Sequence, residues 1–304
     1  MKPAARPLVI SPRYQGLDQL TKRVRLAERL GVDQVWLEQQ PDQRDALLTA
    51  AAYLEAAPSI TVGTAVLPVY ARHPVAMAQA AATIDELYPG RFVLGIGYSH
   101  KFVNEYVLGL SQGKPIGVMR EYTAIVTGLL NTGEIGFEGE HFTAHAQYTG
   151  GRGAVPLHLA ALRPQMIRLA VQMTDGIVIW LASPRYIRER IMPVIREACA
   201  EFGKDPDSFS VVTILPSYTG DNEADQIAGW EKSAASYRML PYYRHVLEAF
   251  GKPDPREFAL IGSRAQVRER LAEFRELGCV PVPSPMPGSE EEFVQTVEAV
   301  YGDA

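Results

Sequence analysis

The stretch GRFVLGIGYSH (90–100) sets two glycines, a hydroxyl and an imidazole at the end of an apolar run: Gly95, Gly97, Ser99 and His100. Glycine at a strand end lets a flat ligand or another backbone approach closely. Histidine is the side chain whose charge changes between pH 5 and 8. Together they suit a ligand lying against the backbone with Ser99 and His100 facing it. A dinucleotide fingerprint is a poorer account, because His100 stands where the third glycine of G-x-G-x-x-G belongs and no acidic residue follows an obvious second strand ~20 residues on. Other chemistries find less support. No G-x-S-x-G elbow and no P-loop occurs. His141 and His145 are four apart, a metal-ligand spacing on a helix, but they lie beside a Phe-Glu-Gly segment (137–139) that reads as a hairpin, so no metal is expected. Cys199 and Cys279 lie outside any C-x-x-C, and two cysteines in 304 residues point to a reduced, cytoplasmic setting.

The elements that must position these residues alternate along the chain. Strand-like runs occupy 7–12, 33–38, 60–68, 92–98, 157–162, 176–182, 209–218 and 279–283, and most are continuously apolar, as parallel strands buried on both faces are. Between them lie amphipathic helices. Leu17, Leu20, Val24 and Ala27 share a face before Gly31. Pro74 opens a helix that Tyr88-Pro89-Gly90 ends, and Met166, Leu169, Ala170 and Met173 follow helical spacing. Ser183-Pro184 opens a helix that Pro193 is expected to kink, and Ser263 with Gln266 forms a capping box before Val267, Leu271 and Phe274. Eight such units in 304 residues predict a (β/α)₈ TIM barrel forming one domain over 1–304, with an open doubly wound sheet as the alternative. Residues 99–156 and 219–257 exceed what a minimal barrel needs. Insertions after strands fall at the C-terminal mouth, where Gly95 to His100 also lie.

The composition is that of an ordinary globule, 47% hydrophobic and 21% charged. A net charge of -5 argues against a nucleic-acid surface, and no apolar run approaches the ~20 residues of a membrane helix. The apolar part of MKPAARPLVISP (1–12) is too short for a signal sequence.

The run TAVLPVYARHPVAMAQAAATIDELYPGRFVLGIG (64–97) resembles the bacterial luciferase-like superfamily, and within it the branch dependent on the deazaflavin coenzyme F420, which includes methylenetetrahydromethanopterin reductases and F420-dependent glucose-6-phosphate dehydrogenases. Further matches are MREYTAIVTGLL (119–130), FEGEHF (137–142), VPLHLAALRPQMIRLAVQMTDGIVI (155–179) and IGSRAQVRERLAEFRELG (261–278). The resemblance implies an F420-dependent oxidoreductase that moves a hydride between the deazaflavin C5 and a small-molecule substrate. It implies a cis peptide at Ala65–Val66 forming a bulge behind the ring, with Gly95, Gly97 and Ser99 beside it. It also places the cofactor's phosphate against Ala160, Ala161, Leu162 and Arg163, ahead of the helix at Pro164, where backbone N–H groups and the helix dipole suit an anion. His100 takes the place of an acidic residue that handles a proton in relatives, and Asn104 with Glu105 matches an Asn-Glu pair. Relatives carry an acidic residue and a histidine after the second strand. This chain has Glu38-Gln39-Gln40, so Gln39 and Gln40 become the pocket residues there and Gln40 stands at the catalytic place without a titratable group. Glu38 is left aside because adjacent side chains alternate across a strand. Related barrels pair, so a homodimer is implied. An FMN-dependent luciferase-like monooxygenase and a non-catalytic deazaflavin-binding barrel are the alternatives.

Overall fold

The computed structural model describes residues 5–302 apart from 14, 112, 152, 219–221, 252–253 and 287–288; parts of the long insertions over 99–156 and 219–257 therefore lie outside the described residues. The chain runs β1 (Pro7–Val9), α1 (Leu17–Arg29), β2 (Gln34–Leu37), α2 (Ala46–Ala56), β3 (Thr61–Thr64), β4 (Leu67–Pro68), α3 (Pro74–Leu87) and β5 (Phe92–Gly97). Then come α4 (Pro115–Thr132), β6 (Glu134–Glu138), β7 (Thr143–Gln147), β8 (Leu157–Ala160), α5 (Pro164–Met173) and β9 (Gly176–Trp180). The last third holds α6 (Pro184–Tyr186), α7 (Met192–Phe202), β10 (Ser210–Ser217), α8 (Glu223–Arg238), α9 (Pro241–Leu247), α10 (Pro255–Phe258), α11 (Arg264–Glu276), β11 (Val280–Pro285) and α12 (Glu290–Tyr301).

All eight sequence-predicted strands are present, seven of them trimmed and the last, expected over 279–283, running on to Pro285. They pair in parallel in the order β1-β2-β3-β5-β8-β9-β10-β11, and β11 lies beside β1, so the sheet nearly closes into an eight-stranded barrel. The order never reverses, and a doubly wound sheet would require a reversal. The third run, expected as one strand over 60–68, is split into β3 and β4 at Ala65–Val66, and that peptide is cis.

Alternation then divides the strands. Leu8, Leu37, Phe92, Leu94, Leu159 and Leu215 turn outward beneath the helices, while Val9, Trp36, Val178, Val212, Ile214 and Val282 fill the barrel interior. This is the two-sided burial that makes parallel strands read as unbroken apolar runs. Among the described residues no helix is long and apolar enough to cross a membrane.

Local signals met their places with two differences. Leu17 is exposed, because only Leu20, Val24 and Ala27 of its stripe reach the core. Pro193 does not kink a helix interior. It occupies the first turn of α7, where a missing N–H costs nothing, and a π-helical turn (Ile187–Ile191) precedes it. The capping box at Ser263 and Gln266 is formed on both sides. Ser263→Ala is expected to cost about 1 kcal/mol, read as a lower urea midpoint with an unchanged slope; an unchanged midpoint would show that α11 holds without its cap.

The second insertion, its flanks and the exit of β9 share a small apolar core separate from the main one, in which Leu181, Tyr218, Trp230, Leu247, Phe258 and Ile261 are buried together. The base of the insertion is closed by a parallel bridge between Ser217 and Leu260, where Leu260 N donates to Pro216 O and Tyr218 N donates to Leu260 O. Helices α8 and α9 of this unit stand over the barrel mouth.

Candidate active site at the barrel mouth

β5 ends at Gly97, and the next three residues form a tight turn in which Ser99 adopts a left-handed conformation, φ 69°. That region is strained for a residue with a Cβ, and it directs the half-buried His100. Asn104, fully buried in a π-helical turn (Phe102–Val107), clamps the turn twice: its backbone N–H donates to His100 O at 3.0 Å and its Nδ2 donates to Tyr98 O at 3.0 Å. The Tyr98 hydroxyl donates to Gly113 O, and its ring meets Tyr70 edge-on at 5.5 Å. Burial pushes the His100 imidazole below its ordinary value near 6.5, so it is neutral at pH 7. Glu105, its expected neighbour in the site, is exposed and pairs instead with Lys101 at 3.7 Å.

The glycines answer to the bulge. A Cβ on Gly95 would stand 1.9 Å from Thr64 O, and one on Gly97 would stand 2.7 Å from Val66 Cγ2 and 3.0 Å from the Ala160 Cβ. β5 thus packs directly on the Ala65–Val66 turn, and where Val66, Gly97 and Ala160 meet the side chains are short. Where β8 passes into α5, Ala161 N donates to Val178 O at 3.3 Å, Leu162 is half-buried and Arg163 is exposed. No side chain caps the start of α5.

After β2 the chain folds back on itself. Gln40 N donates to Gln43 Oε1 at 2.8 Å, and Gln39 Oε1 accepts from Ala46 N at 3.1 Å, at the start of α2. Glu38 is a correction to the sequence reading: it is not turned away. Its Oε1 accepts from Ser11 Oγ at 2.6 Å and from Gln43 Nε2 at 2.8 Å, which ties together the mouth ends of β1 and β2, and its charge reaches Tyr237. Trp36 faces the interior, and Glu38, two residues on, shares its side. Leu37 and Trp36 are both apolar, so the pattern alone did not tell which faced inward.

Over these residues runs a row of rings: His100 to Tyr243 at 5.9 Å, Tyr243 to Tyr237 at 5.1 Å and Tyr237 to Trp180 at 5.8 Å. It spans the mouth from the exit of β5 to the end of β9. Tyr243 lies on α9 and Tyr237 on α8, both within the insertion over 219–257.

Deeper in the barrel, His158 stacks on Trp36 at 6.0 Å with an interplanar angle of 21°. Burial holds it down at about 4, with Asp175 opposing. The unfolded chain therefore takes up this proton first as pH falls from about 6.5. The stability linked to neutral His158 is complete above that pH and is lost on descent towards 4, in total about 3 kcal/mol. His158→Phe keeps the stack and is expected to flatten the fall of the melting temperature between pH 7 and 4; parallel profiles for the two proteins would count against the assignment.

Among the described residues no three His, Cys, Asp or Glu side chains gather as a metal site, and His145 instead meets Glu138 at 2.8 Å on the β6–β7 hairpin.

Comparison with known proteins fixes the lineage. A family model described as luciferase-like monooxygenase matches residues 4–280. The chain belongs to the luciferase-like monooxygenase family. Within that family it is 28% identical over 234 residues to 5,10-methylenetetrahydromethanopterin reductase of Archaeoglobus fulgidus, covering 77% of this chain and 70% of the relative. It is also 28% identical over 253 residues to F420-dependent glucose-6-phosphate dehydrogenase of Rhodococcus erythropolis, covering 77% and 74%. The luciferase-like barrel itself superposes on an F420-dependent secondary alcohol dehydrogenase, solved in complex with an F420–acetone adduct, with a TM-score of 0.86, 18% identity and 98% of each chain covered. With such relatives along three quarters of its length, this luciferase-like chain is an oxidoreductase.

Proposed function

We propose that the chain is an F420-dependent oxidoreductase acting on a small organic substrate, with His100 as the proton partner. The observation that carries this reading is the neutral, half-buried His100 at the mouth of a family barrel, on a turn clamped by Asn104. When bound, the deazaflavin supplies hydride transfer at its C5, chemistry that no side chain offers.

The residues present suit such a group. Val66, Gly97 and Ala160 give a surface of short side chains against which a flat ring can lie. Asn104 Oδ1 is buried with no hydrogen-bond partner, an acceptor that a bound donor would satisfy. The uncapped start of α5 and the exposed Arg163 suit the phosphate-bearing tail. Ser99, Gln39 and Gln40 complete the rim, and Glu38 braces it.

A neutral imidazole accepts protons. His100 takes the hydroxyl proton when an alcohol is oxidised and returns it when a carbonyl is reduced. Oxidation should therefore be sustained above the His100 value and decline as pH falls through it, below 6.5.

The test is titration of the purified chain with F420 and, separately, with FMN, followed by fluorescence or calorimetry. Selective F420 binding with turnover is the expected result. Selective FMN binding would replace it with an FMN-dependent monooxygenase and make oxygen uptake the next assay. F420 binding without turnover on a broad panel would leave a non-catalytic binding barrel.

A further inference from the structure

The ring row also bears on which molecules the mouth admits. Tyr237 and Tyr243 are carried by neighbouring helices and packed against the separate apolar core, so their rings are held by packing rather than by a loose loop. Burial pushes both hydroxyls up, leaving neutral rings. The charged groups around them are of the wrong kind or already tied up. Glu38, a carboxylate side chain, lies within range of Tyr237, and so does Arg13, whose guanidinium is paired with Asp42. Of the cations on the mouth-side loops and the roof helices, Arg13 pairs with Asp42 at 2.8 Å, Arg72 with Asp45, Lys101 with Glu105 at 3.7 Å and Arg238 with Glu231 at 2.6 Å, Arg44 donates to Pro12 O at 2.9 Å, and Arg244, beside Tyr243, is exposed on the outside of the row. Arg163 stands at α5, where the proposed function uses it for the cofactor tail.

An anionic substrate under this row would meet a carboxylate and rings instead of a free guanidinium or ammonium, and removing its charge from water would go uncompensated. A neutral flat molecule loses little on desolvation and gains ring-to-ring contact. We infer that Tyr237 and Tyr243 form the substrate-selecting wall, and that the substrate is a neutral, planar, largely apolar molecule carrying its oxidisable or reducible carbon next to His100, not a sugar phosphate or a carboxylate. This rests on the proposed function for the chemistry, while the preference itself belongs to the protein alone.

The experiment compares three probes on the full chain by calorimetry at pH 7, with and without saturating F420: 2-naphthol, 2-naphthoate and glucose 6-phosphate. The neutral probe is expected to bind at least about tenfold more tightly than the carboxylate, with no measurable heat from the sugar phosphate. The double variant Y237A/Y243A should lose about tenfold of naphthol affinity, whereas Y243F should retain it, because the ring and not the hydroxyl makes the contact. Equal or tighter binding of naphthoate or glucose 6-phosphate overturns the inference, as does a folded double variant that binds naphthol like wild type. If the double variant does not fold, the ranking of the three probes on the wild-type chain decides alone. F420 binding without the naphthol preference overturns this inference and leaves the proposed function standing; the preference without F420 binding does the reverse.

Discussion

His100→Ala is expected to lower turnover by roughly 10²- to 10⁴-fold, the range for losing a positioned proton-transfer group, while F420 affinity stays within about threefold of wild type. The asymmetry follows from the geometry. The turn that presents the imidazole is held by backbone and Asn104 contacts that do not involve the His100 ring, so truncating the ring leaves the turn in place. What disappears is a desolvated base, and with it the acid limb of the pH profile for oxidation, which lies below 6.5 because burial lowers the group. Steady-state kinetics across pH 5 to 8 beside an F420 titration separates the effects. Equal losses in turnover and affinity would make His100 a binding residue and refute the proton role.

The second large effect is structural. Gly95→Ala places a methyl 1.9 Å from Thr64 O, a backbone atom with little freedom to withdraw. Thr64 Oγ1 accepts from Gly95 N at 2.8 Å and donates to Gly95 O at 2.9 Å, so separating the strands also breaks two buried hydrogen bonds. Overpacking together with those losses amounts to about 4 kcal/mol. Chemical denaturation should show it, with Gly136→Ala as the control, since a Cβ there meets only His145 Nδ1 at 3.9 Å. A Gly95→Ala protein as stable as the control would mean that β5 and the bulge are not pressed together.

Gly95 also marks where the sequence was informative and where it was not. The glycines, the following hydroxyl and the imidazole announced a strand end at the mouth, and the eight apolar runs announced the barrel, because strands covered on both faces need no polar alternation. That same property hides which face is which. Trp36 and Leu37 look alike in a pattern but point to opposite sides, and Glu38 was misjudged for that reason. His158 sits between Leu157 and Leu159, so alternation set it opposite those leucines without telling that its side was the interior. The split of the third strand at Ala65–Val66 has no propensity signal and was foreseen through family resemblance alone. Helix α8 was unmarked because its buried side, Gln226, Trp230 and Ala234, carries a single large apolar residue; its place is set by the satellite core and not by a stripe.

The bridge between Ser217 and Leu260 brings the two ends of that inserted unit side by side. A segment that leaves and rejoins a barrel at one point, packed on an apolar core separate from the main one, can be exchanged or remodelled while the eight strands keep their register. The tyrosines of the roof and the imidazole of the floor can then drift at different rates, so descendants of one ancestor can share a reaction and differ in diet.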